Sequence, residues 1–120
     1  MPQSLSAKCA CGAVTANLTG PFRDAIACHC ETCRRQSGHF VAATQIDSVR
    51  FQLLTFDRLK WWSASESAQR GFCADCGSLM FWRETGSQQV SIFMGCIDAP
   101  TGIKLGSHIC LEEKGDYYNV

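Results

Sequence analysis

The chain has 120 residues, 46% hydrophobic and 18% charged, which excludes a disordered or fibrous protein and fits one domain over residues 1–120. Eleven basic side chains balance eleven acidic ones, so the chain carries no electrostatic footprint for nucleic acid, which is not an expected partner. No run approaches the roughly 20 apolar residues of a membrane-crossing helix, and the opening MPQSLSAKCACG has no apolar signal core; a cytoplasmic protein without a membrane partner is expected.

Short β-rich runs separated by Gly- and Pro-containing turns follow one another along the chain. Residues 13–19 read as a strand with Val14, Ala16 and Leu18 on one face. Strands are predicted next at 25–30 and 40–46, with a helical turn at 31–36 between them. Further strands are expected at 49–54, 59–63, 78–83 and 90–94, with a second helical turn at 65–69 and a strand-like run around His108. No segment sustains a 3.6-residue apolar period, so a helical bundle is excluded and the expected class is all-β.

Seven of the nine cysteines fall into three clusters: Cys9 and Cys11, then Cys28, Cys30 and Cys33 within CHCETC, then Cys73 and Cys76 followed by Gly77. In a reducing compartment this density points to metal or catalysis rather than disulfides. Zinc suits such sites because it prefers thiolate and takes four ligands in a tetrahedron. A C-x-C in an extended strand places both sulfurs on one face. The glycine after Cys76 permits the positive φ of a zinc knuckle. The simplest partition joins Cys9 and Cys11 to Cys73 and Cys76 as a closed structural site. It leaves Cys28, Cys30 and Cys33 to grip a second zinc with one coordination position open, which is the mark of a catalytic site.

His29 is expected to point away from the sulfurs of Cys28 and Cys30, in a packing role; His39 could reach the site, and His108 reads as structural. Cys96 and Cys110 read as small buried hydrophobes. Arg34 and Arg35 are expected on a solvated face, with binding of a substrate carboxylate as the alternative. Phe72, Phe81 and Trp82 are assigned to the core, and one of Trp61 and Trp62 must face outward. Amide N–H groups of a helical turn starting at Glu31 would stabilise an anionic thiolate cluster.

The strings CACG (9–12), CHCETCRRQSG (28–38) and GFCADCGS (71–78) together resemble the glutathione-dependent formaldehyde-activating enzyme family, whose relatives include the centromere protein V domain; the resemblance spans roughly residues 5–112. It implies several coiled antiparallel sheets of the β-tent kind with zinc knuckles. It also implies two zinc ions per chain: Cys9, Cys11, Cys73 and Cys76 structural, and Cys28, Cys30 and Cys33 catalytic. The implied activity is that of a carbon–sulfur lyase joining formaldehyde to glutathione as S-(hydroxymethyl)glutathione, so the expected partners are a small thiol such as glutathione and a small aldehyde. Two other readings remain: a non-catalytic zinc-binding interaction module, and a thiol redox protein working through the Cys28/Cys30/Cys33 cluster.

Overall fold

In the computed structural model, which describes residues 3–120, β1 (Ser4–Lys8) and β2 (Thr15–Thr19) pair antiparallel, Leu5 opposite Leu18 and Ala7 opposite Ala16. Alternation decides which face is buried. Leu5, Ala7, Ala16 and Leu18 turn inward, and Val14 just before β2 joins them. The strand predicted at 13–19 therefore has its expected inner face, while β1, with only Leu5 and Ala7 as an apolar signal, was not foreseen.

Between β2 and the next strand of that sheet the chain leaves for a second sheet. It forms β3 (Ala25–Cys28), the helix α1 (Glu31–Ser37) and β4 (Val41–Asp47). After one 3-10 turn at Ser48–Arg50 it returns as β5 (Phe51–Thr55), which pairs with β2 and completes a three-stranded sheet ordered β1-β2-β5. That turn displaces the strand expected at 49–54, and Val49 projects into solvent.

The remaining strands are β6 (Leu59–Ser63), β7 (Ala68–Cys73), β8 (Leu79–Glu84), β9 (Gln89–Phe93) and β10 (Leu105–Ile109). With β3 and β4 they form a seven-stranded sheet ordered β10-β3-β4-β9-β8-β7-β6. The all-β expectation holds. Among the described residues every strand pairing is antiparallel except β10 on β3, which is parallel.

The helical turn predicted at 65–69 is absent. Ser65 instead caps a tight β6–β7 connection, its hydroxyl accepting the N–H groups of Ser67 and Ala68, and β7 starts at Ala68. Local hydrogen bonding by a serine outcompetes a helical turn there. Gly71 in β7 has a steric reason: a Cβ would lie 3.1 Å from Cζ3 of Trp61, which stacks over the backbone from β6. Trp61 faces inward, under the Arg83 guanidinium at 3.6 Å, and Trp62 is the outward one.

The core lies between the two sheets. Leu5, Val14, Ala16 and Leu18 meet Ile46, Met80, Phe81, Val90 and Ile92, and an isolated bridge from Ala7 to Ile97 stitches β1 to the segment after β9. Among the described residues no helix is long and apolar enough to cross a membrane.

Candidate metal centres and the adjoining cavity

Two groups of sulfurs assemble, Cys9/Cys11/Cys73/Cys76 and Cys28/Cys30/Cys33, each with its ligand atoms within 4.8 Å of one another. The first joins the end of β1 to the β7–β8 turn. Its Cys9–Cys11 pair is not built on a strand, as expected, but on a turn closed by Gly12 N–H donating to the Cys9 carbonyl, with Gly12 at φ 80°. The second half is the knuckle 73–78, where Gly77 at φ 77° lets its N–H donate to the Cys73 carbonyl at 2.8 Å.

Sulfur–sulfur separations of 3.6 Å (Cys9–Cys11) and 3.8 Å (Cys11–Cys73) fit a common ion. A tetrahedron with metal–sulfur bonds of about 2.3 Å has edges of about 3.8 Å. Donors surround the group: Val14 N–H reaches Cys9 Sγ at 3.2 Å, and Ser78 Oγ lies 3.2 Å from Cys76 Sγ. The Ser78 hydroxyl holds the Cys76 thiol down to about 5. The donor set can hold a metal ion, and its all-sulfur chemistry fits zinc.

The second group is local. β3 delivers Cys28, Cys30 is the N-cap of α1, and Cys33 sits buried in its first turn. The strand expected at 25–30 stops at Cys28 because Cys30 caps the helix instead, its sulfur accepting Cys33 N–H at 3.3 Å. That N–H is the helix-start donor anticipated for this cluster. Cys33 donates its proton toward Cys28, which holds the Cys28 thiol down to about 5 and raises Cys33 in turn. A bound ion would displace the protons that these thiols carry.

Arg70 is the residue that the sequence did not disclose. It lies in β7 and is almost fully buried, and its Nη1 and Nη2 both donate to Cys33 Sγ at 3.4 Å. Nη1 also donates to Gln36 Oε1 at 3.2 Å. A buried forked cation on one sulfur compensates the charge of a thiolate cluster. Arg70→Met is expected to weaken metal binding at the Cys28 group by about 10–100-fold, the usual effect of losing a group that orients a metal ligand. Two-step chelator competition checks this, with release from the Cys9 group unchanged.

The neighbouring residues take definite places. His29 is fully buried and points away from the sulfurs, sharing hydrogen bonds with the Tyr118 hydroxyl and with His108 Nδ1 at 2.9 Å. His39 meets Tyr117 and belongs to neither sulfur group. Arg35 pairs with Glu31 on the exposed face of α1, as expected for a solvated side, whereas Arg34 departs from that expectation, half-buried with its Nε shut away from solvent. Cys96 is buried, and burial pushes its thiol up to about 12, in keeping with a small core residue. Cys110 departs from that expectation. It is half-buried, left-handed at φ 57°, and its thiol lies against Cys28 because β10 runs parallel to β3.

A cavity of about 270 Å³ opens beside Cys28 and Cys33. The seven-stranded sheet curls round it: β3, β4, β7, β8, β9 and β10 all contribute to its wall. Trp82, expected in the core, lines this cavity, whereas Phe81 is core.

The curled sheet, the two thiol groups and the adjoining cavity define a small β-protein with two candidate all-sulfur metal centres, one of four cysteines and one of three beside the cavity. A family model described as glutathione-dependent formaldehyde-activating enzyme matches residues 4–113, and the chain belongs to that family. It is 30% identical over 96 residues to a Schizosaccharomyces pombe protein named an uncharacterized lyase, covering 77% of this chain and 67% of the yeast one. A crystal structure of a Rhodobacter sphaeroides protein superposes with TM-score 0.65 at 21% identity, covering 86% of this chain and 98% of that one, and shares the fold.

Proposed function

We propose that the chain is a zinc-dependent carbon–sulfur lyase acting on a thiol–aldehyde adduct, of the S-(hydroxymethyl)glutathione synthase type. The observation that carries this reading is the cavity lined by Cys28 and Cys33, beside a group of three sulfurs that would leave a tetrahedral ion one position for a further ligand. Cys9, Cys11, Cys73 and Cys76 hold a structural zinc in this reading, and Cys28, Cys30 and Cys33 hold the second. The family's description supports glutathione and formaldehyde as the first reactants to try. The yeast relative's name supports the lyase class.

A zinc ion held by three thiolates supplies a soft, charge-stabilising centre that favours a nearby thiol in its ionised form. The chain's own groups do the rest. Cys28 and Cys33 would present the centre to the cavity that they line, Arg70 fixes Cys33 with two N–H groups, and the apolar wall would position the reacting atoms. In the forward direction sulfur bonds to the aldehyde carbon, the carbonyl π bond opens, and the thiol proton ends on the former carbonyl oxygen. The reverse reaction cleaves the same bond without redox change.

Two-dimensional exchange NMR between formaldehyde and S-(hydroxymethyl)glutathione tests the reading. Metal-loaded protein is expected to accelerate exchange over buffer and over chelator-stripped protein. Equal rates in all three samples would remove formaldehyde and glutathione as its reactants.

A further inference from the structure

The cavity beside Cys28 and Cys33 has more wall than formaldehyde needs, and most of that wall is apolar. Ile26, Val41, Ala43, Trp82, Phe93 and Ile109 supply it. The polar groups that share the lining are held by the protein itself. Gln45 Nε2 donates to Ser91 Oγ at 3.2 Å, and Arg23 at the mouth donates to the Asp24 carbonyl at 3.2 Å and the Ala43 carbonyl at 3.0 Å. Both terminal nitrogens of Arg70 point at Cys33. Arg70 Nε has no partner, but it is buried with essentially no accessible surface, so it offers the cavity no free donor.

An apolar pocket whose polar groups are already engaged, beside a reactive centre, selects a ligand with an apolar body. Glutathione as a whole does not match the inner wall: its ammonium meets no carboxylate there, and of the two lining cations Arg70 is engaged with Cys33 and Gln36, which leaves Arg23 at the mouth for a carboxylate. We infer that the cavity takes the aldehyde half of the adduct and that this aldehyde is hydrophobic: an alkyl or aralkyl chain on the Ile26, Val41 and Ile109 side, its reacting carbon toward Cys28 and Cys33. The inference rests on the thiol–aldehyde reading and specifies its substrate class. The thiol's own polar part stays outside the mouth, near Arg23. The reaction is the addition already described, with the carbon–sulfur bond forming at a longer aldehyde.

Two stable thioethers with the same small head group test this, 2-(hexylthio)ethanol and 2-(methylthio)ethanol, titrated into metal-loaded protein and followed by the methyl signals of Ile26, Val41 and Ile109. The hexyl compound is expected to bind roughly tenfold or more tighter than the methyl compound, since each buried methylene adds to affinity, and to shift those three residues. Ala43→Phe, which fills the cavity, should erase the difference. Ile109→Ala at the exposed mouth should reduce it, and serves if the Ala43 variant does not fold. Equal affinities, or shifts confined to residues elsewhere, would overturn the inference. That result would leave the lyase reading intact, because formaldehyde exchange is measured separately.

Discussion

Cys73→Ser is expected to leave no stably folded protein. Cys73 is fully buried at the end of β7, its sulfur 3.8 Å from that of Cys11. A serine oxygen is a poor ligand for a soft thiolate site. The variant would lose metal from the group that fastens β1 to the β7–β8 turn, and would leave a hydroxyl beside Met80 and Phe81 in the core. Structural zinc in small modules contributes about 10 kcal/mol or more, while a domain of this size has a net stability of only about 5–15 kcal/mol. Soluble yield, far-UV circular dichroism and the presence of a cooperative thermal transition are the measurements. A soluble, cooperatively folding Cys73→Ser protein would take the structural role away from this group.

Cys28→Ser should behave in the opposite way. Cys28 ends β3 at the wall of the cavity and is only half-buried, and the β3–β4 and β3–β10 ladders do not depend on its side chain. The variant is expected to bind one metal ion fewer per chain, to keep its fold with a thermal midpoint within about 4 °C of the parent, and to lose acceleration of thiol–aldehyde exchange down to the uncatalysed rate. Metal analysis, thermal unfolding and exchange NMR on one preparation check all three. Global unfolding would show that both groups are structural and would move the protein toward the interaction-module reading.

The contrast between these two variants follows from what the sequence could express. Ligand groups carried by neighbouring residues are visible because the chain itself fixes their spacing. CHCETC brings three sulfurs together through one strand end and one helix start, and CADCG does the same through one turn. The pairing of Cys9 and Cys11 with Cys73 and Cys76 was reachable by counting alone. Arg70 was not, because it meets Cys33 only through the curl of the large sheet, with β4, β9 and β8 lying between β3 and β7. In the sequence it is one more cation, between an expected helical turn and the Cys73/Cys76 pair. Cys110 was hidden for the same kind of reason: only the parallel β10–β3 ladder sets it against Cys28, and parallel pairing over such a separation leaves no local signature. The strands with clear alternation were read correctly. Polar β1, and β7 with its glycine and buried arginine, were not, because tertiary packing rather than propensity makes them strands.

The placement of the Cys9 group has a topological consequence. Among the described residues every cysteine is a free thiol, and Cys11 and Cys73 lie 62 positions apart in the chain. An ion gripping both would act as a cross-link across about half of the molecule, restricting the unfolded chain by about 4 kcal/mol on the scale used for a disulfide loop of that length. Unlike a disulfide, such a link would not be reduced by glutathione or thioredoxin and would yield instead to chelators and to competing soft metals. A protein stapled this way would keep that link in the presence of free thiol, a reactant of its proposed chemistry, without the staple being reduced.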